Sequence, residues 1–355
     1  QQGIYCEFAP SDANLSFYHY NMLIGHNIKF DLLYMLKTYP KFKEWLYCKD
    51  NLVWDTQQVE YLITGMTSKM SSLNALSDKY GGSQKDDRIK EFWDNGVDTE
   101  DIPPAMLSEY LEHDVRNTHK VFLEQAHQVG QLSMQALVRS QMRALVATTS
   151  MEHNGMCFDK AKASNHAGQL AWRLAEMEQG VTDIYRQLHP LAHQDDLPAG
   201  SNDALSRCLF GGEYSYTVWE DCVKDGEVVR YKSGIKKGQV KQKKVVYTAN
   251  TEMLFPPKEE WETKKEGFYQ VNDAVLKELL SYESLPPITR ELCELVGKWR
   301  ALKKDCTTYF EGYGKLAFPR EGKHYIHGNL KHNSTDTGRL SSSSPNLQNL
   351  SGKER

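Results

Sequence analysis

The sequence is short of several features, and each absence excludes something. No apolar run approaches the ~20 residues that a membrane-spanning helix needs, so an integral membrane protein is not expected. No basic-then-apolar leader opens the chain. The seven cysteines are odd in number, scattered and without a CxxC pair, so neither a zinc site nor a disulfide framework is expected, and a reducing, cytoplasmic setting is. Net charge is small: 43 Lys and Arg against 47 Asp and Glu give −4, which excludes a uniformly basic coat but leaves room for a local basic groove. No internal repeat is present. With 40% apolar and 25% charged residues over 355 positions, the chain is globular and long enough for about two domains. Residue 1 is Gln, and the final Ser351-Gly352-Lys353-Glu354-Arg355 carries no helix or strand signal, so both ends are expected to be cuts.

Four stretches differ in character. Residues 1–125 alternate short apolar runs with helical patterns, an α/β reading. The run Asn21–Asn27 reads as a strand entering a turn. Ile28 to Tyr39 reads as a helix with Leu32, Leu33, Leu36 and Tyr39 on one face, ended by Pro40. Residues 104–150 read as helical throughout, started by Pro103-Pro104 and broken near Gly130. Residues 151–205 read as helix with polar loops. Residues 206–270 turn rich in Lys, Gly and β-branched residues, with eight Lys or Arg against two acids between Lys224 and Lys244. Helix returns at Asn272–Tyr282 and Thr289–Tyr313. A last strand, Tyr325–Gly328, precedes a Ser/Thr/Asn-rich loop from Asn333 to Asn349.

Two carboxylate motifs stand out. Asn27 and Asp31 are four residues apart at a helix start, and Tyr110 and Asp114 repeat that spacing on a later helix, so each pair shares a face. A Tyr one turn before an Asp can aim a hydroxyl and a carboxylate into one cleft. Taken singly, each is equally what a helix-start carboxylate or a solvated helix acid produces. In this order and this α/β context, they resemble the second and third motifs of the DnaQ-like, ribonuclease H-fold 3′–5′ exonucleases. That resemblance implies Asp31 and Asp114 as ligands of a two-metal Mg²⁺ (or Mn²⁺) site, Tyr110 orienting the attacking water and Asn27 supporting the site. The family's first motif, Asp-x-Glu on the opening strand, is missing. The nearest strand-borne acid, Glu7, lies too close to Asp31 and lacks an Asp two residues before it, so the metal site is expected to be incomplete.

The longest motif comes last. Thr337-Gly338-Arg339-Leu340-Ser341-Ser342 followed by Pro345-Asn346-Leu347-Gln348-Asn349 resembles the first palm motif of the family A, DNA polymerase I-like enzymes. Ser, Asn and Gly would also suit a polar surface loop. A polymerase must hold any correct primer end without reading its sequence, and the minor groove presents purine N3 and pyrimidine O2 acceptors at every pair. Arg339 suits those acceptors, and Asn346, Gln348 and Asn349 can donate to groove atoms or phosphates. Leu350-Ser351 replaces the family's Ile-Pro.

Met151–Asp159 resembles the "ME-x-NG" block of the same family, and Ser201-Asn202-Asp203 through Gly211-Gly212 its next block. The helix Trp299–Tyr309 resembles the thumb helix, whose Arg300, Lys303 and Lys304 would track duplex phosphates. An ordinary solvated helix carries such cations too. The stretch 213–250 looks phage-like and reads as a β-hairpin, either beside DNA or simply solvated.

The resemblance implies an α/β ribonuclease H-like exonuclease domain (1–125). A linker helix and mainly α-helical thumb with a hairpin insertion would follow (126–318), then the first palm strand (319–355). Primer–template DNA and dNTPs would be the partners, with a C-terminal polymerase half as a further one, in a bacterial or infected host cell. The family's Asp-Tyr-Ser strand, fingers helix and His-Asp-Glu turn are not in these residues, so a fragment inactive by itself is expected. The alternatives are a stand-alone 3′–5′ exonuclease and a DNA-binding subunit of a split polymerase.

Overall fold

The structure, a computed structural model, describes residues 19–83, 88–188 and 199–350; Glu7 and Ser351–Arg355 lie outside the described residues. The chain divides into two compact units, one formed by the stretch up to Phe158 together with Leu316 onward, the other by Asp159–Lys315.

The first unit opens with β1 (Met22–Gly25), α1 (Lys29–Thr38), α2 (Phe42–Leu46) and β2 (Leu52–Asp55). β1 and β2 pair in parallel, Met22 opposite Leu52 and Gly25 opposite Asp55. A parallel pair needs a crossover, and α1 with α2 supplies it by burying Ile28, Leu32, Phe42, Trp45 and Leu46 with Val53. α3 (Thr56–Ile63) starts directly at the end of β2, capped by the Asp55 side chain. α4 (Leu73–Tyr80), α5 (Arg88–Asp94), α6 (Pro104–Gln131) and α7 (Gln135–Asn154) follow. The break between α6 and α7 falls at Ser133, whose φ is +55°, close to the expected break at Gly130.

β3 (Met156–Phe158) then interrupts a stretch expected to be helical. Its partner β9 (Lys323–Ile326) lies far along the sequence, Cys157 opposite Tyr325, so no local pattern announces it. Gly155 makes the corner before β3 at φ +72°, with the His327 ring 2.8 Å from where a Cβ would stand.

The second unit contains α8 (Lys160–Leu188), α9 (Asn202–Phe210), α10 (Asp273–Ser281) and α11 (Pro287–Lys304). α11 buries Leu292, Cys293, Val296 and Trp299 in a core shared with Leu170, Leu174, Val181, Leu205, Leu209 and Leu279. The expected single helix to Tyr313 instead passes into a π-helical stretch, Asp305–Gly312, before α12 (Tyr313–Leu316). Between α9 and α10, β4 (Gly212–Asp221) and β7 (Gln242–Thr251) form an antiparallel hairpin of ten paired residues, with short strands β5 (Val223–Lys224) and β6 (Glu227–Val228) towards its tip.

The chain then rejoins the first unit. β8 (Phe318–Arg320) and β9 extend the β3 sheet, and β10 (Asn329–Lys331) pairs antiparallel with β11 (Ser341–Ser343) inside the stretch expected to be a loop.

The unit boundaries fall after Phe158 and Lys315. The cause is α7 and β3, which pack and pair with the first unit's own elements. Among the described residues that unit's parallel sheet has two strands, which does not by itself establish a ribonuclease H-like sheet. The six described cysteines are free thiols. No described helix is long and apolar enough to cross a membrane.

Candidate DNA-binding and carboxylate sites

The C-terminal end of the parallel pair opens into a cleft of about 850 Å³ lined by Gly25, His26, Asn27, Asp31, Asp114 and His119, among others. Asn27, Asp31 and Asp114 therefore meet there from α1, its leading turn and α6. Tyr110 is not among the lining residues; its ring stands edge-on to Trp93, centroids 5.8 Å apart. Asp31 reaches solvent, yet the protein around it raises its pKa above the usual carboxylate value by desolvation, opposed by a bond to its own backbone. No group of three or more His, Cys, Asp or Glu among the described residues is gathered to hold a metal ion. The described donors by themselves therefore do not complete a two-metal centre, and no chemical step is routed through one.

Asp55 organises this cleft and is absent from the motif reading. Its Oδ1 accepts from the backbone N–H of Asn27 (3.0 Å), Gln57 (2.9 Å) and Gln58 (3.4 Å). It thereby caps α3 and holds the turn in which Asn27 adopts φ +53°. Burial pushes its carboxyl up to about 6, against the pull of those N–H groups. A sequence signal was there: an apolar strand run, Leu52-Val53-Trp54, ending in Asp before a helical stretch is a cap pattern.

Glu152 ties an early segment of the chain to a late one. It is buried and paired with Lys29 at 3.0 Å. The same carboxylate accepts from the Leu330 N–H, and the Lys29 ammonium donates to the Leu330 carbonyl. Both backbone groups of one β10 residue are thus held by one ion pair. Beside them His332 bonds Thr148 Oγ1 at 2.8 Å, and burial with the nearby Lys29 charge pushes its pKa down to about 4.

The loop between β10 and β11 is pinned along its length. Asn333 Nδ2 donates to Gln57 Oε1 at 3.0 Å, and the Tyr61 hydroxyl donates to the Thr335 carbonyl at 2.8 Å. Thr335 Oγ1 donates to the Arg339 carbonyl at 2.9 Å. Gly338 stands at φ +67°, with Met66 Cε 3.1 Å from where its Cβ would be. The backbone of Arg339 is fixed while its side chain is exposed. Beyond it, Ser342 Oγ accepts from Leu347 N at 3.0 Å, and Asn346 Oδ1 accepts from Gln348 N at 3.1 Å. Asn346, Gln348 and Asn349 are exposed.

In the second unit, Lys303 and Lys304 end α11 on its solvent side. Arg300 shares their helix but not their setting. It is half-buried and donates to the Val271 carbonyl, and burial lowers its pKa against the opposing charge of Asp273. That guanidinium fastens the loop before α10.

Residues 238–355 match the model of DNA polymerase family A. A thermostable DNA polymerase I from Thermus filiformis is 42% identical over 59 residues, which is 17% of this chain and 7% of that protein. The fold is similar to the POL domain of Pol1 from M. smegmatis, solved in complex with DNA primer-template and dNTP. The TM-score is 0.52 at 14% identity, over 89% of this chain and 45% of that one. The chain thus spans under half the length of that structure and a small part of the curated relative.

Proposed function

We propose, from the family A DNA polymerase sequence that residues 238–355 carry, that this chain is part of a DNA-directed DNA polymerase and binds primer–template DNA. The single observation that carries this reading is the Arg339 loop. Four hydrogen bonds and the β10–β11 pairing fix its backbone or flanks, and its side chain is exposed. A backbone fixed before binding loses little further conformational freedom on contact, leaving only side-chain freedom to be lost. A forked donor suits the groove acceptors common to all correct pairs. Asn346, Gln348 and Asn349 extend the same surface. Lys303 and Lys304 supply phosphate contacts that carry no sequence information.

This assignment predicts a salt signature. Affinity for primer–template DNA should fall with salt as counterions are released, at a slope near −0.9 per phosphate neutralised. Lys304→Ala should reduce that slope by about one and weaken all sequences alike. Binding measured at several salt concentrations checks it, and an unchanged slope would remove Lys304 from the interface.

The cleft supports a second element. Asn27, Asp31 and Asp114 line it together in the motif order of 3′–5′ exonucleases, and a proofreading role in the whole enzyme follows from that reading. The domain bounds 1–125, 126–318 and 319–355, Mg²⁺ or Mn²⁺ as cofactor, and dNTPs as substrates belong to the same proposal. Residues 1–355 alone should neither extend nor trim a primer. They hold none of the Asp-Tyr-Ser, fingers or His-Asp-Glu motifs, and the described residues gather no three metal ligands. Incubation with labelled primer–template, Mg²⁺ and dNTPs tests this, and extension or trimming above background would contradict it.

A further inference from the structure

The hairpin of the second unit is not explained by a primer-end site, and its side chains are arranged for a ligand. From Val229 to Lys244 it carries seven Lys or Arg and no acid. Arg230 donates to the Gly238 carbonyl, and Lys243 lies 3.9 Å from Glu220. Lys232, Lys236, Lys237, Lys241 and Lys244 make no ion pair among the described residues. Lys243 and Lys244 stand on β7 and the others lie in the tip between β6 and β7, so the positive charge is gathered at one end of the hairpin.

The two faces of the hairpin differ. On one, Tyr216 stacks with Tyr247, centroids 5.7 Å apart, and Tyr216 and Ala249 pack onto the unit's core. On the other, Trp219 stands directly opposite Lys244, and Val246 opposite Thr217. Trp219 is 62% exposed and Val246 61%. Asp221 shares that face, with its carboxylate bonded by Gln242 at 2.9 Å. A Trp is rarely left this bare on a two-stranded ribbon, because its large apolar surface favours burial.

We propose that the Trp219 face of the hairpin is a binding platform for single-stranded nucleic acid, with an unpaired base stacked on the indole and an adjacent phosphate on Lys244. The charge identifies a polyanion. The bare ring selects among polyanions. Stacking needs a planar base with a free face, which single strands present and a closed duplex does not. An acidic polypeptide would match the charge but leave the indole uncovered. This goes beyond the primer-end reading and does not depend on Arg339.

The test is fluorescence anisotropy of the 355-residue chain with a labelled oligothymidylate and with a duplex of equal length. Trp219→Ala should weaken oligothymidylate binding roughly five- to 150-fold, the range for loss of one stacked base. It should leave duplex binding unchanged. Trp219→Phe should restore most of the loss, because a smaller ring still stacks; since Trp219 is 62% exposed, neither variant should disturb the hairpin. Changing Lys244 to Ala should weaken both ligands and flatten the salt dependence. Oligothymidylate binding that is indifferent to Trp219→Ala would overturn the proposal. So would an equal loss for duplex, or polyglutamate competing as well as the oligonucleotide.

Discussion

Glu152→Ala should destabilise the first unit by about 3–5 kcal/mol, the cost of breaking a buried ion pair by removing one partner. The carboxylate is 4% exposed and its Lys29 partner 14%. Its removal strands an ammonium inside the protein and leaves the Leu330 N–H without its acceptor. Replacing both partners by apolar residues, Glu152→Leu with Lys29→Met, should cost much less, because no uncompensated charge remains. The consequence extends beyond stability. Leu330 lies in β10, β10 positions β11, and the Arg339 loop hangs between them. Hydrogen exchange at the β10 and β11 amides, with urea unfolding of the same variants, checks both parts. A single-variant loss under about 1 kcal/mol would mean the pair is not the clamp described.

Asp55→Ala should be the second largest loss, about 2–4 kcal/mol from a missing helix cap and orphaned N–H groups. Asp55→Asn keeps an acceptor and should lose less. Its pH behaviour is more telling. The folded pKa of Asp55, about 6, lies above its unfolded value of 3.8. Its contribution is therefore full below 3.8 and lost as pH rises through about 6, so acidification from pH 7 to 5 favours the folded state. His332 acts oppositely. Its folded pKa, about 4, lies below 6.5, so its contribution is present above 6.5 and lost as pH falls towards 4. The two offset each other in the parent chain. Asp55→Asn removes only the compensating member, so it should lose about 1 kcal/mol more than the parent between pH 7 and pH 5. Equal losses in urea titrations at the two pH values would contradict the assignment.

What the sequence revealed and what it hid follow one physical division. β1, α1 and the α6–α7 break are written in local apolar spacing and in Pro40, Pro104 and Gly130. β3 and β11, three residues each, owe their existence to partners distant in sequence, and no local period marks them. Local spacing relates Asn27 to Asp31 and Tyr110 to Asp114, while only the fold brings Asp114 to the cleft that Asn27 and Asp31 line. Spacing could not show Tyr110 turned onto Trp93. Arg300 and Lys304 look alike four residues apart, yet only the packing of α11 shows that Arg300 donates to the Val271 carbonyl. Glu152 sat in a quoted motif, but its partner Lys29 lies 123 residues away, and only the fold joins them.

The most direct test of the account compares binding of matched and mismatched primer ends by the parent chain and by Arg339→Ala. If the pinned loop presents Arg339 to the minor groove of a paired end, the substitution should cost about 1–3 kcal/mol at the matched end, the scale of one forked base-edge contact. The cost at a mismatched end should be much smaller, because the groove acceptors there are displaced. Identical affinities of parent and variant for the matched end would contradict the claim that this loop holds the primer terminus.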